Sequence, residues 1–594
     1  MIAHLPPDFS TARPAFVARA GQRDLGPLPR NAPLRIGILF RYRDEAGVRQ
    51  LVQLQSDRRS PLYKHYLTKA QWNATFAPDA RAVATTLAKL TQVGFRVEFL
   101  AANRGFAILA APAAIVADTF ATRFDRIVHD GHVGFANVRA ASIPAALRGA
   151  IVSVSGLSDF PVAKPPRARF EHSSELNMMV RRAPLEPRHV FAPSPAPTPT
   201  QAPQTPGPSP WDSPAPLPIS TTTPAPNPSP EATLENGLDY VTSGLAGHSG
   251  YGPVALAVAY DFPVMHGYAG RGRTFADIIG APYGPSDLTD YLNTYGIVRT
   301  APTYTIEIDG GSNAVYPAGA VFEADADVEV AVGLAPDVTY DQYVFPVTSY
   351  DFQVEDAYNQ AVSDDVADVV SSSFVNCENF DPAIEYADGY LAMQGAAKGM
   401  TFFAATGDNG GEACYLYSSV NGNNYAFEAV SVPAADIYFT AVGGTTLVVN
   451  PDNGAYVSEA GYVDGGGGTS IYEARPSWQA ATAGTVASGR NIPDIALNAG
   501  APFEEYLGGS STPDLGTSFA TPAMAALVAE IDEIQGTRNG WINPRLYQIQ
   551  NTQGYTWAYR DVITGTNGTQ TAGTGYDELT GIGSPLGWEL AGEL

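Results

Sequence analysis

No histidine follows residue 266. The eight in the chain are His4, His65, His129, His132, His172, His189, His248 and His266, so a nucleophile late in the sequence has no local imidazole to activate it. Cysteine is nearly absent too. Cys377 and Cys414 are too few for a disulfide scaffold and lack metal-type spacing; one bridge and two buried thiols are both compatible with them. No run of eighteen apolar residues occurs, which excludes a transmembrane helix as a sequence expectation and with it a membrane partner. Met1 to Arg30 has no basic-then-apolar layout, so an export signal of that kind is not expected there. Basic residues become scarce after residue 230. Residues 231–594 carry 9 Lys and Arg against 45 Asp and Glu, a net −36, which excludes nucleic acid as a partner of that part. Residues 1–230 carry 26 against 15, a net +11. Two bodies of opposite charge attract at neutral pH and lose that attraction as acid protonates the carboxylates.

The composition divides the chain into a tail (1–30), a first domain (31–165), a linker (166–235) and a second domain (236–594). Fifteen of residues 191–230 are Pro, a stretch that builds no core and favours extended, cleavable chain. In the first domain, strands are predicted over 34–40, 95–100 and 105–110. Helices are predicted over 44–56, 80–93 and 113–120, with Thr68 capping a further one. That order reads as a small α+β open sandwich. In the second domain, short apolar strands are predicted over 366–374, 400–406 and 439–442. The last two end at glycines, as in a parallel sheet whose site lies at the strand C-termini. A helix is expected to open at Leu288 with Asp287 as its cap.

Chemistry concentrates at Leu515-Gly516-Thr517-Ser518-Phe519-Ala520-Thr521-Pro522, which runs into the apolar stretch Ala523–Ile531. Ser518 would stand at the first turn of a buried helix, where free N–H groups and the helix dipole favour developing negative charge. Such a serine is also a common cap. If it is a nucleophile, the shortage of histidine leaves carboxylates as its base, and those ionise at about pH 4 when unperturbed. Glu323 and Asp327 are four apart and share a helix face, either as a solvated acidic face or as a proton-sharing pair. Asp408, in Gly407-Asp408-Asn409-Gly410, is either a turn residue or a third acid. Near the end, Asp561-Val562 and Gly573-Thr574-Gly575-Tyr576-Asp577 read as two ordinary turns or as an all-oxygen site suited to calcium.

Taken in order, these segments resemble the sedolisins, the serine-carboxyl peptidases. Gly516-Thr517-Ser518 with Pro522 looks like their nucleophile motif. Glu323 with Asp327 is similar to their Glu-x-x-x-Asp pair, and Gly407–Gly410 to the segment that supplies their oxyanion acid. Val442–Thr445, Pro493–Ala496 and Thr580–Pro585 fit as well, and Ser60–Thr68 resembles their activation-domain signature. The resemblance implies a subtilisin-like α/β fold, a parallel sheet flanked by helices. It implies an N-terminal propeptide acting as intramolecular inhibitor, and a peptide or protein substrate. Ser518, Glu323, Asp327 and Asp408 would be catalytic. One structural Ca2+ would be held by Asp561, Val562 (through its carbonyl), Gly573, Gly575 and Asp577. A monomeric, exported or extracellular, acid-acting serine endopeptidase is the expectation. Leu515 departs from the Ser usual before Gly-Thr-Ser, and the linker is longer than expected. Two rivals remain: a non-catalytic binding protein on the same fold, and a hydrolase that recruits His248 or His266.

Overall fold

The computed structural model describes residues 22–129, 132–159, 250–311, 318–346, 352–378, 382–413, 416–417, 424–425 and 428–594. The linker expected over 166–235 and the candidate base His248 lie outside the described residues.

The first domain is the anticipated open sandwich. Strand Pro33–Phe40 pairs antiparallel with Phe106–Pro112 and Ile151–Ser155, and Arg96–Leu100 closes the other edge. Helices Glu45–Ser56 and Ala80–Gln92 start where the sequence has carboxylate caps: Asp44 accepts from Gly47 N–H and Asp79 from Ala82 N–H. Thr68 and Gln71 form a reciprocal capping box on Lys69–Thr75. Within the tail expected over 1–30, residues 1–21 lie outside the described residues and Gln22–Pro27 forms a strand. It pairs with Arg123–His129 in a three-stranded sheet that local patterning did not reveal, because its partner lies a hundred residues on.

The second domain is built on a parallel sheet. Neighbouring strands run Phe439–Val449, Thr401–Ala405, Val369–Ser372, Thr274–Ile279, Thr339–Val344, Thr303–Glu307. Tyr456–Gly461 adds antiparallel at the far end, and Ile495–Asn498 pairs parallel with Phe439–Val449. Helices Ala318–Leu334 and Thr517–Gln535 pack against each other and are buried together with the sheet. The strand predicted to stop at Val442 continues through Gly443-Gly444 to Val449. These glycines are not a turn. A Cβ on Gly443 would meet the Pro493 ring at 2.6 Å, and one on Gly444 would meet Ala499 and Tyr462 at 2.8 Å. The helix expected to open at Leu288 begins at Pro285 with Gly284 as its cap, so Asp287 is not a cap but a buried first-turn residue. Cys377 is disulfide-bonded, which settles its state in favour of a bridge; Cys414 lies outside the described residues.

The first domain docks on helices Phe352–Asp364 and Pro382–Ala397 of the second. Tyr42 stacks on Tyr390 with ring centroids 4.0 Å apart, and Tyr42 N–H donates to the Tyr390 hydroxyl at 2.6 Å. Gly37 is required there, since any Cβ would meet that of Phe352 at 2.4 Å. Arg35 donates to both Asp309 oxygens at 2.7 and 2.8 Å, and Ser155 donates to Glu355 at 2.6 Å. The segment resembling an activation signature reaches the far end of the nucleophile-bearing helix. Lys64 Nζ donates to Gln535 Oε1 and Asn539 Oδ1 at 2.6 and 2.7 Å, and the Tyr63 hydroxyl donates to the Leu594 carbonyl.

Candidate active site

Helix Thr517–Gln535 starts at Gly516, whose φ of +148° and lack of side chain are both needed. A Cβ there would meet Asp408 Oδ2 at 2.8 Å. Ser518 thus stands in the first helical turn, as the sequence implies, and is almost fully buried. Asp408 follows strand Thr401–Ala405 and reaches this turn: its Oδ1 accepts from Thr517 N–H at 2.8 Å, while Thr517 Oγ1 accepts from Gly407 N–H at 3.1 Å. Asp408 is therefore no surface turn residue. Burial is the main influence on its carboxyl and pushes it up to about 7; the bond from Thr517 opposes this. Its Oδ2 has no partner, so the protonated acid has an O–H free to donate.

Glu323 and Asp327 lie on helix Ala318–Leu334. Residues 323–332 are all buried, so the two acids are no solvated face. Burial raises both well above the usual carboxylate range. For Glu323 the Ser518 hydroxyl opposes the rise and the nearby Asp408 adds to it. Ser518 Oγ and both Glu323 oxygens still fall short of full hydrogen-bond geometry, so the contact between Glu323 and Ser518 is close but not closed. Such contacts commonly tighten only with substrate in place. Glu323 thus lies beside the Ser518 hydroxyl, Asp327 beside Glu323, and Asp408 on the N–H of the preceding Thr517.

Two participants escaped the sequence reading. Ser373 Oγ donates to Asp327 Oδ1 at 2.7 Å and approaches the Ser518 carbonyl at 3.5 Å, tying the acid helix to the nucleophile helix. Asp277, fully buried on strand Thr274–Ile279, accepts from the Tyr340 hydroxyl at 2.8 Å. It acts on Asp327 both as a neighbouring charge and as a proton-sharing partner, and burial pushes it up to about 7. A lone Asp within Phe275-Ala276-Asp277-Ile278-Ile279 was the available signal. Asp277, Asp327 and Glu323 therefore influence one another's ionisation. Asp277→Asn is expected to lower kcat on the order of 10- to 100-fold, less than the loss of the base itself, and to displace the acid limb of the pH profile. An unaltered profile would make Asp277 a structural residue only.

His266 is placed elsewhere. It sits on the turn Pro263–His266, pairs with Asp261 at 2.8 Å and stacks on Trp588. Neither Asp261 nor Trp588 belongs to the Ser518 site. The five proposed calcium residues do meet. Asp561 accepts from Gly575 N–H at 2.9 Å and Asp577 from Gly573 N–H at 2.9 Å, while Thr580 Oγ1 bridges Asp577 to the Val562 carbonyl at 3.1 and 3.4 Å. Only two carboxylates contribute, and among the described residues no group of three or more His, Cys, Asp or Glu is arranged to hold a metal ion. Any cation here would depend on backbone carbonyls, a donor set of hard oxygens that fits calcium.

Residues 20–160 match the family described as "Pro-kumamolisin, activation domain", and residues 316–583 match the "Subtilase family". Kumamolisin from Bacillus sp. (strain MN-32) is 34% identical over 373 residues, spanning 58% of this chain and 64% of that relative. Sedolisin from Pseudomonas sp. (strain 101) is 27% identical over 599 residues, spanning 97% of this chain and 88% of that relative. A solved structure of Pseudomonas sedolisin, a serine-carboxyl proteinase complexed with two molecules of pseudo-iodotyrostatin, superposes with a TM-score of 0.51 at 28% identity. It covers 58% of this chain and 97% of its own. The architecture is thus the subtilisin-like α/β fold preceded by an activation domain.

Proposed function

Because the chain belongs to the sedolisin family of serine-carboxyl peptidases, we propose that it is a proenzyme whose second domain hydrolyses peptide bonds through an acyl-enzyme on Ser518 in acid. The observation that carries this is the joint burial of Ser518, Glu323, Asp327 and Asp408, with Glu323 beside the Ser518 hydroxyl and Asp408 on Thr517 N–H, and with no histidine partner at these groups among the described residues. Ser518 Oγ attacks the peptide carbonyl carbon and its proton passes to ionised Glu323, which shares it with Asp327. Asp408 Oδ2–H donates to the oxyanion. Glu323 returns the proton to the leaving amine, giving the acyl-enzyme, then takes one from the water that attacks it and gives that proton to Ser518 Oγ as the ester bond breaks and the acid product leaves. One negative charge shared between Glu323 and Asp327, beside a neutral Asp408, is the protonation state this step needs, and low pH keeps Asp408 protonated.

The first domain acts as intramolecular inhibitor, and acid weakens its grip on the acidic second domain. Endopeptidase action is tested with long peptides blocked at the N-terminus. Internal cleavage at acid pH, after a lag that acid pre-incubation shortens, is expected. Release of tripeptides from free N-termini alone would make the enzyme an exopeptidase. Work outside the cytoplasm, as a monomer, belongs to the same reading. Among the described residues no helix is long and apolar enough to cross a membrane.

Asp561 and Asp577, with the carbonyls of Val562, Gly573 and Gly575, would hold one Ca2+, which would brace the two C-terminal loops and take no part in the chemistry. A ligand at about a hundred times its Kd stabilises the folded state by about 2.7 kcal/mol. Chelation is therefore expected to lower the melting temperature of the Ser518→Ala chain, and calcium to restore it. Identical melting with chelator and with calcium would remove the ion from the reading.

A further inference from the structure

The nucleophile is delivered by a hairpin. Strands Phe503–Leu507 and Ser510–Asp514 pair antiparallel, and Asp514 is followed at once by Leu515-Gly516-Thr517-Ser518. Any movement of the hairpin is transmitted to the turn that seats Ser518. Acidic groups hold it down. Tyr506 N–H donates to Glu329 Oε2 at 3.0 Å, on the helix that also carries Glu323 and Asp327. At the hairpin tip, Gly508 and Gly509 N–H donate to Asp287 at 3.0 and 2.7 Å; both glycines have positive φ, +60° and +76°. Between hairpin and helix lies Glu505, wholly buried, with no hydrogen-bond partner for either oxygen. Glu329 Oε1 and Asp325 Oδ2 are likewise buried and unpartnered.

The surroundings of this cluster are acidic or phenolic on every side. Glu505 faces Glu329, Asp325 and Glu323 from the helix and Asp514 from the opposite strand. Glu329 faces Asp325 and, from helix Pro285–Thr294, Asp287 and Tyr291. Tyr506 beside them faces Glu504 and Asp290. None of these neighbours is a cation. A neutral carboxylic acid is tolerated in such a place, whereas an ionised, unpaired carboxylate is not.

We infer that Glu329 and Glu505 are positioning residues which, as neutral acids, let the 503–514 hairpin close on the helix and so seat Ser518, and that rising pH favours the opened hairpin, in which both are hydrated and ionise, disarming the nucleophile independently of Asp408. The inference rests on Ser518 being the nucleophile. Burial drives the direction, pushing Glu329 up to about 10, Asp325 to about 7 and Asp514 to about 6, with Glu505 well above its ordinary value. For acids raised on folding, the stabilisation is complete below the unfolded value and is lost as pH rises through the folded one. Each pH unit in that window costs each group up to about tenfold in the folded-to-unfolded ratio.

The test compares full-length chains. Thermal unfolding is measured from pH 4 to pH 8 in the Ser518→Ala background, with and without Glu505→Gln or Glu329→Gln, together with hydrogen exchange at Tyr506, Gly508 and Gly509. Both Gln variants should lose less melting temperature toward pH 8 than the parent, and the parent's hairpin amides should lose more protection, measured against the intrinsic exchange rate, between pH 4 and pH 8 than those of the variants. In chains that retain Ser518, the ratio of kcat/KM at pH 7 to that at pH 4 should rise about fivefold or more in the Gln variants. Parental pH slopes in melting and in activity would overturn the clamp. Should Glu505→Gln fail to fold, Glu329→Gln decides alone. Flattened melting with no peptidase activity at any pH would keep the clamp and overturn Ser518 catalysis.

Discussion

Ser518→Ala is expected to abolish peptide hydrolysis and self-maturation together, with kcat falling on the order of 10⁴- to 10⁶-fold. The two alcohols described around Ser518 have other partners: Thr517 Oγ1 accepts from Gly407 N–H, and Ser373 Oγ donates to Asp327. Glu323→Gln should cost nearly as much, because Gln cannot take the proton that Ser518 sheds and no imidazole stands by to replace it. The pair should also be non-additive: the double variant should be little worse than either single one, since nucleophile and base act as a unit. The measurement is single-turnover hydrolysis at acid pH, with sequencing of any new N-terminus. A Ser518→Ala chain that still matured unaided would move the nucleophile elsewhere. Folding should survive, since Ser518 Oγ has no hydrogen-bond partner to lose.

The second large effect belongs to Asp408. Removing one oxyanion donor typically costs about 3–4 kcal/mol of barrier, on the order of 10²–10³ in kcat. Asp408→Ala should lose that much at the acid optimum. Asp408→Asn should lose less, because its amide can still donate, and its activity should no longer fall as Asp408 ionises. The sign follows from the chemistry. A carboxyl pushed up to about 7 is protonated below that value and donates; above it, the carboxylate repels the oxyanion. Wild-type kcat/KM should therefore fall as pH rises through about 7, from this group's contribution. The same rise implies that stability is complete below the ordinary value and drains away as pH climbs through the folded one. A wild-type maximum at alkaline pH, or an Asp408→Asn profile identical to wild type, would deny Asp408 this part.

Much of the site was readable because its chemistry is carried by short local segments. Gly516-Thr517-Ser518 needs a side-chain-free residue before a helix start, and the i, i+4 spacing of Glu323 and Asp327 places both on one helix face. Asp277 and Ser373 were not readable in this way. Each belongs to a different strand, and nothing local says that strand Thr274–Ile279 ends beneath the acid helix. The glycines at 443–444 misled for a related reason. Glycine in isolation signals a turn, but here the tight contacts with Pro493, Ala499 and Tyr462 demand it within a strand. The strand Gln22–Pro27 was missed because its pairing partner is remote, and pairing, not propensity, makes it a strand.

By itself, then, the amino-acid order determined the two bodies of opposite charge, the absence of a local imidazole, the helix that carries Ser518, and the identity of the acids able to serve it. These are properties of composition and near-neighbour spacing. Tertiary structure alone decided how those acids behave. Whether a carboxyl is a solvated surface charge or a neutral, proton-sharing group depends on how much water it keeps. Burial of Glu323, Asp327, Asp408 and Asp277, and of Glu329 and Glu505 behind them, is produced only when helix, hairpin and sheet close over one another.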